Sequence, residues 1–386
     1  MPKVTTSLFG DIAILPYPAD PPVRETLEYL TDLQVAYDAT ENRVPLRTMP
    51  RQLINCRVIV QQNKLAEEFN TLSGALRAAW AIPLWFEEQM VGPLSAGTSV
   101  IACQTSNYDF RDDSLGLLYS PNGLWELIEI QTVSPYSLTI YGTLSQSFEM
   151  AWVMPVRRGW LVESADRSIS TAHAEVNLRM MVDDTPSIAA AVPEQFLGSD
   201  IYYDPMLMSS GEVSGDISQR QEILDETLGV IDRRTPWTRS QYVRTKLSRI
   251  RTAAQARAFR QFFSRRQGRY RSFWYPTFEE NARVASVGTV VSSLLIVNDS
   301  FIHYATARTH IAVEAGGTWY PRTVSSYAPS GANVQLNLSS ALNVPASSIT
   351  RVSYLGLNRL DSDRVEINWV GNKVAQIAYP VRELTP

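Results

Sequence analysis

The sequence is poor in the residues that build reactive or cross-linked sites. It has two cysteines, Cys56 and Cys103, and three histidines, His173, His303 and His310. Two cysteines cannot form a disulfide framework or a cysteine-based zinc site, and read as small buried apolar side chains. No histidine lies near a cysteine or in a His-x-x-x-His spacing, so the three read as polar strand residues. The chain has no G-x-x-x-x-G-K-[ST] loop, no G-x-G-x-x-G opening a helix and no nucleophile elbow. Basic residues number 35 against 39 acidic ones, a net charge of −4, which argues against a general nucleic-acid binder. No apolar run approaches the roughly 20 residues of a membrane span. The N-terminal stretch MPKVTTSLFGDIAILPYPADPP lacks a signal peptide's apolar region and cleavage site. The expectation is a chain kept or assembled in a cytoplasm, with no metal, nucleotide or other cofactor.

What is present is self-similarity. Residues 41–90 and 232–281 both open on Arg-x-Pro, at Arg43–Pro45 and Arg234–Pro236. Both close on a Pro–aromatic corner followed by a Glu pair: Pro83, Trp85, Glu87 and Glu88, then Pro276, Phe278, Glu279 and Glu280. Downstream, Gly97-Thr98 parallels Gly288-Thr289, and Leu124-Trp125 parallels Thr318-Trp319. Upstream, Pro16–Pro21 faintly matches Tyr202–Pro205. Such order across half a chain points to an internal duplication. Length suggests two or three domains, at roughly 100–200 residues each. They are expected at 1–182 (with an N-terminal arm), 183–221 as an extended linker, and 222–386.

Each copy reads as one helix followed by short strands. Cys56–Gln61 alternates as a strand. Leu65, Phe69, Leu72, Leu76 and Ala79 form one apolar face of a helix of about four turns. In the second copy Thr252 is a helix N-cap, Ala256, Phe259 and Phe263 are the apolar stripe, and Gly268 is the stop. Strands are expected near 98–104, 124–131, 137–142 and 148–154 in the first copy. In the second they are expected near 289–296, 309–313, 319–325, 334–337, 351–355, 364–370 and 373–379. The fold class is α+β: a duplicated domain made of a small antiparallel β-sandwich or open barrel with one packed helix.

The acid pairs Glu87-Glu88, Glu279-Glu280, Asp112-Asp113 and Asp183-Asp184 are poor catalytic candidates, because adjacent strand residues point to opposite faces. Arg244–Arg271 is more distinctive, with ten basic residues and no acidic one. Its first-copy counterpart lacks this charge, so a shared core does not require it. A solvated helix face, a contact with an acidic neighbouring subunit and contact with nucleic acid are the available readings. Packed like charges repel unless something negative is near. The segment is therefore expected at a subunit boundary or channel wall, through Arg257, Arg260, Arg265, Arg266 and Arg269, with Phe273, Trp274 and Tyr275 as apolar centre.

Several short motifs resemble tail-tip proteins of long-tailed bacteriophages, of the distal-tail or baseplate type. They are Tyr17–Pro22, Leu27–Asp32, Asn42–Arg47 with Pro50-Arg51, and Trp80 with Pro83–Trp85. The second copy adds Phe259–Phe263, Arg266–Arg269 and Phe273–Pro276. The resemblance implies a structural virion protein, assembled in the host cytoplasm and not an enzyme. It implies a homo-oligomeric ring joining the tail tube to hub or receptor-binding components. Two copies in one polypeptide depart from that pattern and leave the ring position open. Two other readings stand beside it. One is a carbohydrate-binding adhesin with exposed Trp125 or Trp319 beside Asn or Asp. The other is a cell-wall or polysaccharide hydrolase with convergent carboxylates.

Overall fold

The computed structural model describes residues 3–75, 78–162, 165–183, 188, 191–203, 215–225, 227, 229–237, 240–285, 290–298 and 308–384. The chain opens with a hairpin of β1 (Lys3–Thr6) and β2 (Gly10–Ile14). A long hairpin follows, β3 (Ala19–Val35) and β4 (Glu41–Gln61). The cost of Pro21 and Pro22 inside β3 is met by an irregularity between Asp20 and Arg24, the kind of place where a strand tolerates a missing donor. Helix α1 (Leu65–Gly74) leads to β5 (Ala79–Pro83), which lies parallel to β2 with Ala13 opposite Trp80. An inserted unit contains β6 (Gln89–Val91), β7 (Val100–Ala102), β8 (Ser114–Tyr119), β9 (Trp125–Ser134) and β10 (Ser137–Ile140). It has its own core around Ile101, Leu118, Ile130 and Phe148. The chain returns through β11 (Ala151–Leu161), β12 (Asp166–Ile169) and β13 (His173–Val182). β11 pairs with β5, and β13 pairs with β4 from His173–Gln61 to Val182–Gln52.

The second half passes through a corresponding series. A small hairpin, β14 (Gln195–Phe196) and β15 (Ser199–Asp200), carries Ile201 into a parallel bridge with Trp274. Next come β16 (Gly215–Ser218), the hairpin β17 (Glu222–Leu224) and β18 (Asp232–Arg234), and β19 (Gln241–Ile250). Helix α2 (Ala253–Arg266) leads to β20 (Phe273–Pro276). A second inserted unit holds β21 (Val290–Val291), β22 (Leu294–Asn298), β23 (His310–Ala315), β24 (Thr318–Ser330), β25 (Asn333–Leu338) and β26 (Val344–Pro345). Its core centres on Leu295, Val313 and Leu336. The chain ends in β27 (Ile349–Leu360), β28 (Arg364–Gly371) and β29 (Val374–Glu383).

Several of the pairings recur in both halves. Pro83 lies opposite Val156 and Pro276 opposite Leu355. β13 lies between β4 on one side and β11 with β12 on the other. β29 lies likewise between β19 and β27 with β28. The halves then join, because β28 adds to the outer edge of β3, from Arg364–Glu28 to Trp369–Val23. One antiparallel sheet therefore runs β12-β13-β4-β3-β28-β29-β19-β16. Along β28 the buried residues are Val365, Ile367 and Trp369, the two-residue period of a strand with one covered face.

The fold is thus β-rich α+β, with two helices among the described residues. The main core does not divide at the chain's midpoint. It combines Val23, Trp80 and Val176 with Phe263, Trp369 and Ile377, and Phe86 stacks on Trp369 at 4.4 Å. Parts of the expected linker are built into this architecture, since Ile201 docks on β20 and β16 pairs with β19. The Met206–Met208 patch lies outside the described residues.

Helix α2 matches expectation. The Thr252 hydroxyl accepts from the Gln255 amide, Ala256, Phe259 and Phe263 are buried, and the helix stops at left-handed Gln267 and Gly268. Helix α1 does not. It ends at Gly74, and Ala79 already belongs to β5. Leu76 lies outside the described residues. The helix buries Glu68 and Thr71, while Phe69 is 54% exposed under the Arg167 guanidinium. Leu65 and Leu72 of the expected stripe pack partly buried against the main core, but the fully buried residues are Thr71 and Glu68, which pairs with Arg167 of β12.

Candidate assembly interface

The basic segment is placed mostly inside the chain. Arg260 on α2 is buried between two carboxylates, donating to Glu25 of β3 at 2.7 Å and to Glu87 after β5. Glu25 also accepts from Gln52 at 2.9 Å and from the Trp369 indole at 3.0 Å, so one carboxylate ties β3, β4, β28 and α2 together. Burial opposes the Arg260 charge, but Glu25 and Glu87 outweigh it and hold the guanidinium above its ordinary value. Burial pushes the Glu87 carboxyl up, with Arg260 pulling against it. The network continues from the Asp109 amide, which donates to Glu87 at 2.7 Å, to Arg157, 2.6 Å from the Asp109 carboxylate. Burial opposes the Asp109 charge too, but Arg157 and Arg111 prevail and keep this carboxyl far below the usual range.

Further along α2, Arg265 reaches Asp200 at 2.7 Å and Arg266 meets the same carboxylate, pinning the β14–β15 hairpin to the helix. Arg269 lies 3.0 Å from Asp363, which also accepts from the Thr31 hydroxyl at 2.8 Å. Arg257 is half-buried, with Nη1 3.4 Å from the Tyr108 carbonyl. The three aromatics are core: Phe273, Trp274 and Tyr275 are all buried, and Tyr202 stacks on Phe262 at 3.8 Å beside Phe273. Part of the charge run is thus partnered within the chain: Arg260 meets Glu25 and Glu87 across the seam between the halves, and Arg265, Arg266 and Arg269 meet Asp200 and Asp363 of the second half. Arg260, Arg266, Phe273, Trp274 and Tyr275 have no exposed surface to offer a neighbour, and for them the expected subunit boundary is replaced by an internal one. Lys246 and Arg244 on β19 are buried as well, with the Lys246 ammonium 4.4 Å from the Tyr275 ring centre.

Other sequence candidates are dispersed. Glu279-Glu280 lies at the surface, where Glu280 pairs with Arg283. Asp112 accepts from the Val133 amide and Asp113 from the Tyr141 hydroxyl. Asp183 pairs with Arg158 at 2.8 Å, and Asp184 lies outside the described residues. His173 bonds Ser170, His310 contacts the Thr323 hydroxyl at 3.1 Å, and His303 lies outside the described residues. Among the described residues no group of three His, Cys, Asp or Glu could hold a metal. Trp125 packs against the Ile12–Leu117 cluster and Trp319 stacks on Tyr203 at 5.9 Å, so both rings serve packing.

The surface features with unmet bonding capacity are sheet edges, which sequence reasoning did not single out. Among the described residues, β12 pairs only with β13 and β16 only with β19. Each open edge carries an isoleucine, Ile169 at 58% and Ile217 at 70% exposure. Exposed edge strands are templates for adding another strand. The far end of the β3–β4 hairpin is also apolar at its surface, through Val35, Leu46 and Met49. No helix is long and apolar enough to cross a membrane among the described residues.

No family model matches the sequence, and no curated protein matches it.

Proposed function

We propose that this chain is an internally duplicated structural protein of a phage tail tip, which forms a ring joining the tail tube to hub or receptor-binding components and performs no reaction. One observation carries the reading. The strand order β5-β11-β13-β4 recurs as β20-β27-β29-β19, with a helix between β4 and β5 as between β19 and β20. The two series meet head to tail through β28 and β3. A contact between unlike surfaces of equivalent units generates rings when its rotation closes. The interior carboxylates support a structural role, since Glu25, Glu87, Asp109 and Asp200 are all spent on guanidinium groups. The test is to purify tailed particles from a host expressing an epitope-tagged chain and label them for electron microscopy. Label confined to the tail tip is expected. Its absence from intact particles would contradict the proposal.

A further inference from the structure

We propose that the outer edge of β12 receives the outer edge of β16 from a second copy of this chain, repeating between chains the joint that β28 and β3 make within it. The inference rests on the ring reading and names the contact that would close it.

Gly159 faces Val182 on β13, and Asn358 faces Glu383 on β29. Ala174 and Ala375 stand the same number of residues ahead of those partners, and they face Ile169 of β12 and Trp369 of β28. Ile169 therefore occupies the place of Trp369. On the other side, Leu53 of β4 faces Met181, and Val243 of β19 faces Arg382. One residue earlier, Gln52 faces Leu27 and Tyr242 faces Ile217. Ile217 therefore occupies the place of Leu27. At the internal joint Trp369 and Leu27 are each 2% exposed, whereas Ile169 and Ile217 lie open on edges without a second strand among the described residues. The internal joint buries Val23, Glu25, Leu27, Val365, Ile367 and Trp369; at the places of Leu27 and Trp369 the open edges keep an uncovered isoleucine, while Gly215 and Arg167 stand at those of Glu25 and Ile367.

The same correspondence fixes the register. Glu366 lies opposite Thr26 at the internal joint. Their counterparts, facing Asn177 and Val243, are Asp166 and Asp216. Asp166 of one copy then faces Asp216 of the next. Like charges directly opposed weaken a strand pair, so this joint is looser than the internal one and can be made reversibly. Every chain adds eight strands to a continuous antiparallel belt, with twice as many structural units as chains.

The experiment uses the full chain in a Cys56→Ala, Cys103→Ala background. Opposed residues of an antiparallel pair have Cα atoms about 4.5–5.5 Å apart, within disulfide reach. Asp166→Cys with Asp216→Cys should give disulfide-linked multimers on mild oxidation, ending in one closed species, while either single change should give none beyond dimer. Ile169→Lys with Ile217→Lys, which alters two exposed positions, should leave a folded monomer of 43.3 kDa. If the parent forms rings, yet the cysteine pair does not cross-link and the lysine variant still closes, the edge contact is wrong and the ring reading survives. If the parent stays monomeric at every concentration and within particles, both fall.

Discussion

At the scale of single residues, buried charges that bridge the chain's halves are the places where removing one partner is most costly. Arg260 is the clearest case, because removing it strands Glu25 and Glu87 without a counter-charge. Breaking a buried pair from one side typically costs about 3–5 kcal/mol. Arg260→Ala is expected to lower stability by that amount in urea unfolding, whereas an exposed change such as Arg271→Ala should be nearly silent. Lys246 gives a pH dependence of defined sign. Burial, with Arg244 adding to it, pushes its ammonium from an ordinary 10.5 down to about 6. Between those values the unfolded chain binds a proton that the folded chain does not, so stability rises with pH through this window. The penalty is complete below about pH 6 and gone above about 10.5. Lys246→Met should remove that slope, making the variant more stable than its parent by on the order of 1–3 kcal/mol near pH 6. Equal pH dependence of the two urea midpoints between pH 6 and 9 would contradict the assignment.

At the scale of elements, local signals were readable where an element is fixed by its own residues. α2 has a hydroxyl cap, a phenylalanine stripe and a left-handed stop, and all of it was visible in Thr252, Phe259, Phe263 and Gly268. Thr252→Ala is expected to cost about 0.5–2 kcal/mol through loss of the cap, measurable as a lower thermal midpoint with unchanged helix content below it. β23, β24, β25, β27, β28 and β29 are likewise legible, each overlapping an expected strand, whereas β26 is not, and the strand expected near 289–296 is divided between β21 and β22. α1 is legible only in part: Leu65 and Leu72 face the core, but Glu68, paired with the distant Arg167, is buried in place of Phe69. β3 is absent from the strands expected from sequence; Pro21 and Pro22 weaken its strand signal, and pairing with both β4 and β28 holds it extended. The destination of the basic segment is also hidden in the sequence. Its partners Glu25, Glu87, Asp200 and Asp363 are scattered along the chain, and only the tertiary fold brings them to α2.

At the scale of the whole molecule, the sheet that crosses both halves makes the chain one body with two unlike ends. One end is the edge of β12 and the other the edge of β16. Each edge leaves backbone donors and acceptors unpaired beside an exposed isoleucine, the template on which a further strand can add. A polymerising unit requires such ends to be complementary, and closure into a ring removes them both. The measurement that tests this most directly is native mass spectrometry of the purified chain, paired with electron-microscopic class averages of the same sample. The account predicts one closed species at an integer multiple of 43.3 kDa, with an annular outline showing twice as many lobes as chains. A species that remains at 43.3 kDa across the accessible concentration range, and that is recovered as a monomer from disassembled particles, would contradict it.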